Sequence, residues 1–319
     1  MAVVFAPRMV SAAGDKVLDI LRKAIMARGE VTYSAVATVA RVEHEQQKSY
    51  TQLILRQKGG RERVKLQDAD GQTVWLRVSD GKTLWEQNAA GNRVFRRDAP
   101  EPSQLRQHEL YNLQVLSANF QVTLLGTEAV AGRKVYHIRI GHPGPPPMVI
   151  RDVWIDKGNY TELKTQRFGD DNRPVYTVAF QRVNFSPAFE PGTFEFEVPP
   201  DVQPRVIESP RFTGSLDAAA RLAGFSALTP QQLPAGFSLF TDSVSVRDFK
   251  GVSVLWLQYT NGVRTFSVFQ RKVDPGAPAP GSGRGGAKTI LVGDYHITIV
   301  GPLTSEEFET IKAGFQGQR

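Results

Sequence analysis

AGRKVYHIRI at 131–140, RDVWIDKGNYTELKTQRF at 151–168 and RPVYTVAFQRV at 173–183 are the stretches from which the fold is read. Each alternates apolar and polar residues. Tyr136, Ile138 and Ile140 stand against His137 and Arg139, and Tyr176, Val178 and Phe180 against Thr177 and Gln181. That two-residue period belongs to half-buried strands. Gly132, the run 141–147, Lys157-Gly158-Asn159 and Asp170-Asp171-Asn172 supply turn residues between them, so 119–183 reads as a β-meander.

Toward the N-terminus the alternation continues over 31–95 in VTYSAVATVARV, SYTQLILRQ, RERVKLQDA, TVWLRVS, KTLWEQN and NRVFRRD. The breaks fall at Gly59-Gly60, Asp70-Gly71, Asp80-Gly81 and Ala90-Gly91-Asn92, and Asp-Gly is a strong hairpin signal. A long antiparallel sheet is expected. Asp15 caps a helix with Val17, Leu18, Ile20, Leu21, Ala24 and Ile25 at helical spacing, stopped by Gly29. A second helix is expected over QLRQHELYNLQVLSANF, with Leu105, Leu110, Leu113 and Leu116 as candidate inward residues.

Pro200, Pro204 and Pro210 mark a linker, because proline restricts itself and its predecessor and cannot continue a ladder. Beyond Ser209 a short helix AAARLAGF, strands SLFTDSVSV, VSVLWLQYT, VRTFSVFQRKV, AKTILV and DYHITIV, and a final helix over 305–315 make a second, smaller domain. The 319 residues exceed what one core usually organises. The expected division is 14–208, including the proline-rich linker, and 209–319. The tail 1–13 reads either as the back end of a secretory signal, with Ser11-Ala12-Ala13 as a small-residue site, or as a disordered terminus.

Hydrophobic residues make up 41% and charged residues 22%, an ordinary globular composition. The net charge of +7 is spread among acidic residues, as in Arg61-Glu62-Arg63, so no nucleic-acid partner is expected. The absence of cysteine excludes thiol catalysis, Cys-ligated metals and a lipobox, and is compatible with export. No apolar run is long enough to span a membrane.

The meander carries a resemblance. NFQVTLLGTEAVAGRKVYHIRI, RDVWID and the closing FEFEVPP are similar to the half-barrel of LolA and of the N-terminal half of the RseB/MucB family of σ-E regulators. Asp152, Trp154 and Asp156 form its local marker. LPAGF, YTNGVRTFSVFQRKV, RGGAKT and GDYHITIVGPLTSEEFETIKAGF resemble, in order and spacing, the C-terminal domain of that family, which a simple LolA carrier lacks. Together they cover most of 31–315. The departures are the proline- and glycine-rich loop 274–286 and the basic pair Arg271-Lys272.

The resemblance implies an α+β protein, with a LolA-like antiparallel half-barrel sheet covered by helices and a smaller antiparallel α+β C-terminal domain. It also implies a periplasmic, non-enzymatic sensor that docks on the extracytoplasmic segment of a membrane anti-sigma factor and detects lipid or mislocalised lipoprotein. The alternative is a LolA-like carrier with an accessory domain.

Gly281-Ser282-Gly283-Arg284-Gly285-Gly286 fits G-x-G-x-x-G but precedes a strand-like segment rather than a helix, so it reads as a hairpin loop. His44, His108, His137, His142 and His296 show no metal-ligand spacing, and Glu43-His44-Glu45 would alternate faces of a strand. His296 reads as a packed or hydrogen-bonded histidine. Asp152 and Asp156, at i and i+4 of a strand, stand about 13 Å apart, too far for a carboxylate pair, and read as structural. No catalytic residue, metal or cofactor is expected.

What remains is apolar. Trp75, Trp85, Phe95, Leu110, Leu113, Trp154, Tyr176 and Phe180 are either core or the lining of an apolar cavity under the helices. Taking an acyl chain of roughly fourteen methylenes out of water is worth on the order of 11 kcal/mol, which a bilayer also supplies, so such a cavity must be nearly as apolar as a membrane. In the second domain Tyr259, Asn261, Gly262, Phe266, Val268 and Phe269 are the candidate partner-binding positions.

Overall fold

The computed structural model describes residues 12–43, 45–142, 144, 148–249, 251–273 and 287–316. The tail 1–11, His44 and the glycine-rich run 281–286 lie outside these. The chain divides into two compact units: residues up to Arg106 with Phe120–Ile207, and Gln107–Asn119 with Glu208–Arg319.

The first unit contains α1 (Ala12–Ala27), β1 (Tyr33–Glu43), β2 (Gln46–Gln57), β3 (Arg61–Gln67), β4 (Thr73–Asp80), β5 (Thr83–Asn88), β6 (Val94–Asp98), and the start of α2 (Pro102–Asn119). It continues with β7 (Gln121–Val130), β8 (Arg133–His142), β9 (Met148–Asp156), β10 (Glu162–Phe168), β11 (Pro174–Asn184) and the short β12 (Arg205–Val206). These strands form one open 12-stranded sheet in the order β12-β6-β5-β4-β3-β2-β1-β11-β10-β9-β8-β7. Every pairing is antiparallel except that of β12 with β6, where the chain returns from the linker to cover an edge. The turns follow their sequence. At Asp80-Gly81 the Asp80 carboxylate accepts from the Lys82 and Thr83 amides, both at 2.7 Å. Gly81 has φ 93°, and a Cβ there would stand 2.6 Å from the Gly59 carbonyl oxygen, so only glycine fits.

Outside the bulges, the registers assign the paired strand residues to one of two faces. The row Trp75–Leu66–Gln52–Ala37–Phe180 shares one face. That face also carries Tyr33, Ala35, Val39, Ile54, Val64, Ile138 and Val153, all buried. Its apolar character makes it the interior face. The opposite row Thr38–Ala179–Lys164–Trp154–His137 is largely polar and makes the outer face. Helix α1 lies against β7 and buries Val17, Ile20, Leu21 and Ala24, the stripe expected from its spacing.

The second unit holds β13 (Arg211–Phe212), α3 (Leu216–Ala223), β14 (Ser238–Leu239), β15 (Ser245–Phe249), β16 (Val252–Thr260), β17 (Thr265–Lys272), β18 (Lys288–Val292), β19 (Tyr295–Val300) and α4 (Ser305–Gln316). Its 7-stranded antiparallel sheet runs β13-β15-β16-β17-β19-β18, with β14 also on β16. Leu255, Leu257, Tyr259, Phe266, Val268, Ile297 and Ile299 face Ala219 of α3 and Phe308, Ile311 and Phe315 of α4 in one core. Ser215 and Gly224 cap α3. Thr304 and Glu307 cap each other's amides at the start of α4, a reciprocal capping box.

Helix α2 departs from expectation. Its residues Gln107–Asn119 belong with the second unit, although they precede β7 in the chain. Tyr111 donates its hydroxyl to the Leu239 carbonyl at 2.8 Å and stacks on Phe240 at 4.6 Å. Asn119 donates to the carbonyls of Gly236 at 2.8 Å and Asn261 at 3.2 Å. Leu110 and Leu113 therefore lie in the segment of α2 that belongs with the second unit.

Candidate functional site

The aromatic residues expected to line one cavity differ in strand parity, although Trp154, 3% exposed, packs into the same buried cluster as Tyr33 and Phe180. Trp75, Phe95, Tyr176 and Phe180 share the parity of the interior face, and Trp85 and Trp154 that of the outer one. On the interior face Phe180 packs against Tyr33 at 5.9 Å, and Trp75 packs against the same cluster. On the outer face Trp85 stacks on Phe196 at 5.2 Å, held under the 193–196 segment, whose Thr193 and Glu195 carbonyls accept from Arg63.

Trp154 belongs to a polar network. Its indole stacks on His137 at 4.2 Å and donates Nε1–H to Glu128 at 2.7 Å, with the Lys164 ammonium 3.9 Å from the ring centre. His137 also touches Glu128 at 2.6 Å and Asp152 at 3.2 Å. Arg139 grips Asp152 with two hydrogen bonds, at 2.9 and 2.7 Å. Asp156, fully buried, accepts from Arg133 at 2.8 and 3.0 Å and from the amides of Gly158 and Asn159. Burial opposes the Asp156 charge, but Arg133 and the two amides outweigh it and hold its pKa below the ordinary carboxylate value. Each aspartate is thus committed to its own arginine, and the marker Asp152-x-Trp154-x-Asp156 welds β8 to β9. Among the described residues no three His, Asp or Glu side chains are grouped to hold a metal.

The outer face also carries a groove that sequence reasoning missed. A concavity of about 510 Å³ is lined by Ser34, Ala35 and Val36 of β1, Leu53 and Leu55 of β2, Arg63 and Lys65 of β3, and Arg182, Val183 and Asn184 of β11. Two rows build it: Arg182–Val36–Leu53–Lys65 and Asn184–Ser34–Leu55–Arg63. Between Val36 and Ala37 the register with β11 shifts by one residue, a bulge that bends β11 and re-aims Arg182. The lining holds three cations and no carboxylate. The sequence signal was Leu53-Ile54-Leu55: Ile54 fills the interior, so the leucines on either side point outward, where a strand facing only water would carry polar residues.

In the second unit the predicted partner positions also separate. Tyr259, Phe266 and Val268 are core, at most 1% exposed. Burial raises the Tyr259 hydroxyl far above its ordinary pKa. Asn261 is spent on its own turn, accepting from the Val263 and Arg264 amides. Gly262 is covered by α2. These five cannot meet a partner without unfolding their surroundings; Phe269 alone faces outward. The registers place it in the row Phe212–Ser245–Trp256–Phe269–Thr298–Thr289, where it stacks on Trp256 at 5.5 Å with the Arg247 guanidinium 4.5 Å from the indole. On the same face His296 is buried and contacts Arg271 at 3.0 Å.

Compared by sequence, the chain matches no family model and no curated protein. Compared by structure, it is similar to MucB in the Pseudomonas aeruginosa MucA/MucB complex, with 18% identity and TM-score 0.53 over 93% of this chain and 96% of that one. MucB in complex with MucA(peri) aligns over the same shares at 17% identity and TM-score 0.51. The LolA superfamily protein NE2245 from Nitrosomonas europaea covers 56% of this chain at 11% identity, with a TM-score of 0.27, too low to carry an argument. Because the alignment with MucB runs through nearly all of both chains, this protein has the two-unit fold of MucB.

Proposed function

We propose that this protein is a non-enzymatic, extracytoplasmic regulator that binds the extracytoplasmic segment of a membrane anti-sigma factor and responds to lipid or mislocalised lipoprotein. The observation that carries the reading is the extent of the likeness: both units align with MucB, and the aligned MucB structures are complexes with MucA. The second unit supplies the partner surface, on the face of Trp256 and Phe269. The first unit supplies the sensor. A LolA-like carrier is the second reading; the outer groove favours it and the presence of a whole second unit counts against it.

The test is capture from solubilised source membranes by the full-length chain, with bound proteins identified by mass spectrometry. A single-span protein with a cytoplasmic sigma-binding domain, lost when Phe269→Glu is introduced, supports the regulator. Acylated lipoproteins captured without such a partner overturn it in favour of the carrier.

A further inference from the structure

Helix α2 is seated on the second unit partly through aromatic rings, and one of them is a histidine. The ring of His108 lies 4.9 Å from that of buried Phe240, and Tyr111, one turn further along, stacks on the same phenyl at 4.6 Å. The Tyr111 hydroxyl is anchored by the Leu239 carbonyl and meets Ser238 Oγ at 3.0 Å. His108 lacks such an anchor: its Nε2 is shut off from solvent and, among the described residues, has no hydrogen-bond partner. Asn112 Oδ1, four residues on and so on the same side of the helix, is in the same condition, and the two atoms do not bond each other. A neutral imidazole can keep its hydrogen on Nδ1 and leave Nε2 bare. An imidazolium must carry a hydrogen on both nitrogens, and the one on Nε2 meets no acceptor.

We infer that His108 is an acid-release latch for α2: its neutral ring completes the seat of residues 107–119 on the second unit, and protonation of that ring undoes the seat. The charges around it do not offset the cost. On α2 itself Arg106 is paired with Glu30, and Glu109 is the neighbour that favours the charged ring; segment 238–243, which packs on the ring, brings one ionisable side chain, Asp242, and that is exposed. Burial outweighs Glu109 and holds the His108 pKa below the ordinary histidine value. The proton therefore binds the released ring, at about 6.5, more readily than the seated one. The seat is at full strength above about pH 6.5 and weakens as pH falls below it toward the seated value. The loss reaches the turn between β16 and β17, where Leu116 closes on Gly262 and Asn119 bonds the Asn261 carbonyl. This window lies above the one in which carboxylates such as Asp156 are protonated. The inference goes beyond the regulator reading, and its test contains no partner, so either can fail without the other.

The test is amide hydrogen exchange of the full-length chain at about pH 7 and about pH 5.5, with rates corrected for the intrinsic effect of pH. Peptides over 107–119 and 236–243 are expected to lose at least about threefold in protection at the lower pH, and those over 305–316 to keep theirs. His108→Phe keeps a ring against Phe240 and cannot take up a proton, so its protection over 107–119 should be equal at the two pH values. His108→Gln, smaller and also neutral, should be less protected than the natural chain at pH 7 but equally so at both; it gives the same comparison should His108→Phe fail to fold. Unchanged protection of the natural chain between the two pH values, or a loss over 107–119 that persists in these variants, overturns the assignment.

Discussion

The backbone of Leu116 in α2 passes so close to Gly262 that a Cβ on the glycine would stand 2.3 Å from the Leu116 amide nitrogen. Gly262 also has φ 92°, a conformation side chains other than glycine's rarely adopt. The turn between β16 and β17 is therefore shaped to receive the end of α2, and Asn119 fastens it through the Asn261 carbonyl. Gly262→Ala should combine overpacking with backbone strain and cost about 3 kcal/mol in denaturant unfolding. A loss below about 0.5 kcal/mol would mean that α2 yields freely at this point.

Gln270, fully buried in the core of the second unit, answers both main-chain groups of one residue. Its Nε2 donates to the Leu228 carbonyl at 2.6 Å and its Oε1 accepts from the Leu228 amide at 2.9 Å. Gln270→Leu keeps the volume but strands a buried donor and a buried acceptor. The expected cost is about 2–4 kcal/mol, read as a drop in the midpoint of urea unfolding. An unchanged midpoint would show that Leu228 finds water instead.

Acid should destabilise the first unit through Asp156. Its folded pKa lies below the unfolded value of about 3.9, so its stabilising contribution is fully present above that pH and is lost as pH falls through the folded pKa. Glu162 acts in the same direction, its burial outweighed by Arg151 and Arg28. Asp156→Asn should cost on the order of 2–3 kcal/mol at pH 7. Its deficit relative to the natural chain should shrink as pH approaches about 2, where the aspartate is protonated as well. A deficit constant across that range would remove Asp156 from the acid response.

Much of this was legible in the residues. The alternation of 131–183 and the Asp-Gly turns define the sheet, because a two-residue period has no other regular solution. The alternation was legible too: Trp154 has the opposite parity to Val153 and Ile155, and it is nonetheless buried in the cluster that holds Tyr33 and Phe180. The placement of α2 was not legible, because Leu105, Leu110, Leu113 and Leu116 define a stripe without naming the sheet that receives it. Nor was the burial of Tyr259, Phe266 and Val268, which depends on α3 and α4 closing over that face of β16 and β17. Leu53-Ile54-Leu55 signalled outward apolar side chains, but the groove itself required β1, β2, β3 and β11 to be set in register, a long-range relationship.

The central claim is that the second unit presents a partner surface on the Trp256–Phe269 face. Its most direct test is the dissociation constant of the extracytoplasmic segment of the captured anti-sigma factor, measured by calorimetry with the full-length chain, with Phe269→Glu and with Lys65→Glu. The account predicts binding weakened at least tenfold by Phe269→Glu and unchanged by Lys65→Glu. Equal affinity for the natural chain and Phe269→Glu would contradict it.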